Sequence, residues 1–168
     1  NLFSQPATSP VDSLMRILHS AESDSVRVQV LNSLVKQFIM EENYDSSLKY
    51  CDQSIIIAEK AGYKKGLSDA YSDRGKINND QGKFPEAMKD YQTALKIYEE
   101  LEDKKNIANS YNRIANAYHL QGDFPKALKN QYAALKIREE IGDQEGIAWS
   151  YNNIGTIYRI QGDYEAAL

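Results

Sequence analysis

One cysteine, Cys51, is all the chain has in 168 residues. It can close no disulfide within itself and can build no zinc site from cysteines. Its thiol content leaves the compartment open, because a secreted and a cytosolic chain look alike by this measure. A basic excess is lacking too: 20 Lys and Arg stand against 24 Asp and Glu, a formal net charge of −4. Nucleic-acid binding needs a basic stripe, so no nucleic-acid partner is expected. No apolar run approaches the ~20 residues that a membrane-spanning helix needs, and no direct membrane contact is expected. The two histidines, His19 and His119, fall on separate elements and predict no metal site. A glycine-rich phosphate loop, a Ser/His/Asp set and a two-cysteine motif are all missing. Neither a cofactor nor enzyme activity is expected of this chain.

What the sequence does have is a period of 40 residues. Residues 71–85 reappear as 111–125 and again as 151–165. Each copy carries a Gln-Gly pair with an aromatic two residues on: Gln81, Gly82 and Phe84; Gln121, Gly122 and Phe124; Gln161, Gly162 and Tyr164. Such a period marks a stack of like supersecondary units, and stacks of this kind present surfaces to partners. Within the unit the apolar spacing is helical twice. Ile107, Tyr111, Ile114, Ala115 and Tyr118 make one stripe; Phe124, Ala127, Leu128, Ala134, Leu135 and Ile141 make the next. Gly82, Gly122 and Gly162 suit the end of the first helix, and Pro85 and Pro125 the first turn of the second. Gly62 and Gly142 stop the second helix, and Asp103 or Asp143 caps the helix that follows.

A weaker copy covers residues 31–70, with Tyr44 in the aromatic place and Leu48 and Ile55 in the aliphatic ones. Ahead of it, residues 11–18 form a short amphipathic stretch. The expected organisation is a disordered segment at 1–10, an N-terminal helix at 11–24 and a repeat array over 25–168. Its repeats fall at about 25–64, 65–104, 105–144 and an incomplete 145–168. Residues 1–7 read either as the remnant of an exported leader or as a fragment boundary.

These residues resemble the tetratricopeptide repeat family, whose pattern runs aromatic, Leu-Gly, Tyr, Gly-x-aromatic, Ala, aromatic, Ala. The fourth copy matches with Tyr151, Ile154, Gly155, Tyr158, Gly162, Tyr164 and Ala167. The third matches with Tyr111, Ile114, Ala115, Tyr118, Gly122, Phe124, Ala127 and Ala134, and departs at Gln131. The second keeps Tyr71, Gly75, Gly82, Phe84, Ala87, Tyr91 and Ala94, but has Arg74 and Asn78 where the family has Leu and Tyr. The resemblance implies an all-α fold: a right-handed α-solenoid of antiparallel helix hairpins, about three and a half repeats plus an N-terminal helix. Its unit is longer than the family's usual ~34 residues because the second helix is extended. The wording around residues 134–155 looks most like Bacteroidetes signalling proteins. In those, an exported repeat array precedes a membrane helix and a histidine kinase, nucleotide cyclase or DNA-binding output domain.

By the same resemblance the ligand surface is the concave face lined by the first helices. Carried over position by position, it would show Asn32 and Lys36 from the first copy and Ser72, Lys76 and Asn79 from the second. The third adds Asn112, Asn116 and His119; the fourth adds Trp149, Asn152, Thr156 and Arg159. Asparagine recurs at one register in Asn32, Asn112 and Asn152. Its amide donates and accepts, so a column of them can hold the backbone of an extended peptide whatever its side chains. Lys36, Lys76, His119 and Arg159 favour an acidic ligand or a free C-terminus. The alternative is that the asparagines only solvate a helix face. Trp149 is either an aromatic anchor of that surface or packing between the third and fourth copies. Glu99-Glu100 and Glu139-Glu140 read as solvated helix ends, and Cys51 as a small packed residue.

The expected function is a protein-interaction module that takes a peptide or protein segment in its groove. Its expected setting is the sensory region of a larger bacterial signal-transduction protein, on the periplasmic side of a membrane. A freestanding cytoplasmic scaffold is the alternative. The sequence stops one turn into a further helix, and solenoids need polar caps. A longer array, and a homodimer through an end centred on Tyr151, Ile154 and Tyr158, are therefore expected.

Overall fold

The computed structural model describes residues 9–167, and among them the chain forms eight α-helices and no strand. They run α1 (Pro10–Ser20), α2 (Asp24–Met40), α3 (Tyr44–Ala61), α4 (Lys64–Asp80), α5 (Phe84–Glu100), α6 (Lys104–Leu120), α7 (Phe124–Ile141) and α8 (Gln144–Gln161). This is the all-α helical repeat that the 40-residue period predicts. No helix among the described residues is long and apolar enough to cross a membrane.

A capping box sets the start of α1. The Ser9 hydroxyl accepts from the Asp12 N–H at 3.0 Å, and the Asp12 carboxylate accepts from the Ser9 N–H at 3.3 Å. Ser9 and Pro10 thus belong to a helix rather than to the disordered segment expected over 1–10. Residues 1–8 of that segment lie outside the described residues.

The ends of α3, α5 and α7 follow the period, with two exceptions. Ahead of α3 and α7, Asn43 accepts from the Ser46 N–H at 3.1 Å and Asp123 from the Lys126 N–H at 3.2 Å. Lys83 holds the same place ahead of α5 and provides no side-chain cap. After α3 and α7, Gly62 and Gly142 turn left-handed at φ +64° and +69°. After α5 the same place is held by Glu102, at φ +53°. A Cβ in that region costs roughly 1–2 kcal/mol, which is why glycine is usual there.

Two compact units make up the chain, residues 1–77 and 78–168, and α4 passes from one into the other. In the first, α2 packs on α1 and α3, and buried Val35, Cys51 and Ile77 gather Ile39, Tyr44, Leu48 and Tyr50 around them. Arg74, which departs from the family pattern, pairs there with Asp52 at 2.9 Å. In the second, α5, α6, α7 and α8 pack in succession, around a cluster of Ala87, Tyr91, Ile114 and Ala117. Asn78, the other departure, is buried and donates to the Asp90 carboxylate at 3.1 Å. A polar pair replaces the expected aromatic contact.

Candidate functional site

In the first unit the chain uses its polar positions for its own packing. Asn32 is 6% exposed; it donates to the Gly66 carbonyl at 2.9 Å and accepts from the Ser54 hydroxyl at 2.5 Å. Both ends of its amide are engaged, tying α2 to α3 and α4. Ser72 is buried and Lys76 half-buried, so Lys36 alone of these four stands exposed.

The second unit differs. Trp149, Asn152, Thr156 and Arg159 lie at i, i+3, i+7 and i+10 of α8, and Trp149 is 61% exposed. On α6, Asn116 is exposed, and His119 is half-buried with its ring 5.8 Å from that of Phe124. Asn79 is half-buried, with its side-chain carbonyl covered and unpartnered. Asn112 ties α6 to its neighbours: its carbonyl accepts from Gln131 on α7 at 3.1 Å and from Asn153 on α8 at 2.9 Å. Three asparagines of one register therefore have three environments: buried and fully bonded, bridging, and exposed. Ile154, expected at the centre of an exposed C-terminal end, is instead buried; Tyr151, Ile160 and Tyr164 are the large apolar residues open to solvent there.

A cavity of about 270 Å³ opens between α6, α7 and α8, lined by Lys105, Asn109 and Asn112, by Arg138, and by Asp143 and Trp149. Arg138, on α7, is 5% exposed. Its Nη1 donates to the Gly146 carbonyl at 3.0 Å and the Ser150 hydroxyl at 2.7 Å, and its Nη2 to the Asn109 side-chain carbonyl at 3.3 Å. Its Nε–H is buried and has no acceptor. Burial pulls the guanidinium below its ordinary pKa, and the negative charge of Asp143 pushes it partly back. Gly146 makes room: a Cβ there would lie 2.8 Å from Arg138 Cδ and collide with the Asp143 carboxylate.

Arg138, Asn109, Lys105 and Asn153 are absent from the sequence-based site. One signal for Arg138 exists. Forty and eighty residues back the same place holds Tyr98 and Ala58, both buried, so a charged residue stands in a column of core positions. Among the described residues no three His, Cys, Asp or Glu side chains gather where they could hold a metal ion.

No curated protein matches the chain. Among solved structures it is similar to a Rap protein complexed with competence and sporulation factor, with TM-score 0.85 and 19% identity over 94% of this chain and 45% of that one. It is also similar to a Signal Transduction ATPase with Numerous Domains that carries a tetratricopeptide repeat sensor, from Pyrococcus horikoshii, with TM-score 0.82 and 19% identity over 94% and 25%. BtubC from P. vanneervenii gives TM-score 0.79 and 18% identity over 93% and 65%. Identities this low speak for the fold alone, and the chain spans less than two thirds of each of these proteins. The family model described as tetratricopeptide repeat matches residues 28–100 and 106–168. With paired helices recurring in that register, the chain belongs to the tetratricopeptide repeat family.

Proposed function

We propose that the chain is an interaction module holding an extended peptide or protein segment on the exposed faces of α6 and α8. Tetratricopeptide repeats are, as a class, protein-interaction modules. The observation that carries the reading is the stripe of Trp149, Asn152, Thr156 and Arg159 along α8, with an indole 61% open to solvent. Tryptophan is among the residues that dominate interface energies, and it gains most when a partner covers it. Beside it, α6 presents Asn116 and the unpartnered Nδ2 of Asn112. Arg159 and His119 favour an acidic partner.

The finer role in this reading is sensory: the repeat region of a larger bacterial signal-transduction protein of the Bacteroidetes type, on the periplasmic side of a membrane. The similar Rap protein complexed with competence and sporulation factor, and the repeat sensor of the P. horikoshii ATPase, support it by analogy. Coding DNA that continues into a membrane helix and a kinase or cyclase domain favours the sensor. A stop codon after one more helix favours a freestanding cytoplasmic scaffold.

Trp149 is the sole tryptophan and serves as the reporter. Peptides selected from a random displayed library should quench or shift its fluorescence. They should bind at least tenfold more weakly once Asn116→Ala and Asn152→Ala are combined. Affinity unchanged in that variant overturns the reading.

A further inference from the structure

We propose that Tyr132 and Tyr158 form a modification site, at which a one-electron oxidant joins the two rings and straps α7 to α8. Their hydroxyl oxygens lie 3.2 Å apart, one donating a hydrogen bond to the other. Tyr132 belongs to α7 and Tyr158 to α8, both within the second unit. Tyrosine rings couple through the carbon next to the one that bears the hydroxyl. In the product the two hydroxyls stand side by side and share a hydrogen bond. The folded chain holds them in that relation before any reaction, so the two radicals need no chance encounter. Tyr132 is 46% exposed, which gives an oxidant access, and Tyr158 is half-buried beside it.

The repeat does not require a tyrosine at 132. Asp52 and Gln92 hold the same place in earlier copies, both exposed. One period back, the pair reads Gln92 and Tyr118, so that rung has one phenol where this one has two. The hydrogen bond with Tyr158 leads the effects that raise the Tyr132 phenol above its ordinary pKa. Burial and the charges of Tyr158 and Tyr151 add to it. Tyr132 is therefore protonated at neutral pH and loses a proton with its electron.

With a peroxidase and hydrogen peroxide as the oxidant, the step balances. Each phenol O–H bond breaks, its electron passing to the oxidant and its proton to solvent. The two phenoxyl radicals form one C–C bond between ring carbons ortho to oxygen. The hydrogens on those carbons leave as protons while the oxygens regain protons, which restores two phenols. The chain loses two hydrogens in all, and one hydrogen peroxide becomes two waters. The new bond closes residues 132–158 into a loop, which restricts the unfolded chain more than the folded one.

The test treats the full chain, in dilute solution, with a peroxidase and hydrogen peroxide. Dityrosine fluorescence, denaturing electrophoresis and peptide mass mapping read the product. It should run as a single chain, two hydrogens lighter than the parent, with a cross-linked peptide joining Tyr132 to Tyr158. Its urea midpoint should lie above that of the untreated chain. Tyr132→Phe and Tyr158→Phe keep the ring and remove the hydroxyl, and each should cut the yield at least tenfold while circular dichroism stays that of the parent. Tyr151→Phe and Tyr164→Phe remove exposed phenols and should leave the yield unchanged. Oxidation of the parent in concentrated urea should cut the yield of this link roughly tenfold or more, because the pair is no longer held together. Links that form only between chains, or that map to Tyr151 or Tyr164, overturn the proposal. So does a yield undiminished in either of the first two variants or in urea, or an unlinked chain under conditions that couple free tyrosine.

Discussion

Asn153 donates to Asn112 across 2.9 Å, so α8 is tied to α6 through an amide that belongs to the proposed ligand surface. The same Asn112 oxygen accepts from Gln131, which is 1% exposed and whose own carbonyl has no partner. Asn112→Ala would strand Gln131 and should cost about 1–3 kcal/mol. Asn112→Asp keeps an oxygen for both accepted bonds while exchanging the donor for a charged acceptor, so it should lose less stability than Asn112→Ala. Urea denaturation of the two variants decides this; equal losses would mean that the bridge does not matter.

Lys83→Asp should stabilise the chain. Its neighbours in the period, Asn43 and Asp123, cap their helices, and Lys83 does not. Adding an acceptor and removing a positive charge at the start of α5 should contribute about 1 kcal/mol. That corresponds to a rise of about 2–4 °C in Tm for a chain of this size. No rise would show that the first turn of α5 is already satisfied by solvent.

Glu102→Gly should stabilise it too. Relief of the left-handed Cβ, about 1–2 kcal/mol, exceeds the entropy glycine adds to the unfolded chain, about 0.5–1 kcal/mol. The expected shift is a higher urea midpoint at unchanged slope. Gly142→Ala, at the matching place, should move the midpoint the other way.

Asp123 and Lys126 form an exposed pair at 2.6 Å. The side-chain hydrogen bond from Lys126 holds the Asp123 carboxyl below the usual carboxylate value, and the same bond raises the Lys126 ammonium. For Asp123 the contribution is complete above its unfolded pKa and vanishes as pH falls through the lower, folded one. For Lys126 it is complete below the unfolded pKa and vanishes as pH rises through the higher, folded one. Asp123→Asn retains a capping oxygen but not the charge. The Tm difference between parent and variant should be flat from about pH 5 to 9 and shrink below about pH 4. A difference that grows in acid would contradict the pairing.

The helices and most of their ends are legible in the sequence because they depend on local chemistry repeated at a fixed interval. Asp103 accepts from the Asn106 N–H at 3.2 Å, and Gly142 turns left-handed, as their positions predict. The ligand surface is less legible, because exposure is decided by whichever helix packs alongside. Asn32 and Asn152 share a register, yet Asn32 lies beneath Gly66 and Ser54 while Asn152 stands in solvent. Arg138 is missed for the converse reason. Beside Glu139 and Glu140 it reads as part of a solvated charge run, and only its alignment with Tyr98 and Ala58 marks the position as interior.

Between Lys83 and Glu102, α5 has an uncapped start and a strained finish, where α3 and α7 have Asn43 with Gly62 and Asp123 with Gly142. The terminal amide protons of α5 should therefore exchange with solvent before those of α3 or α7. A stack of near-identical hairpins is not uniformly stiff. Its local stiffness follows the residues at each helix end, and α5 has the weaker ends of these three.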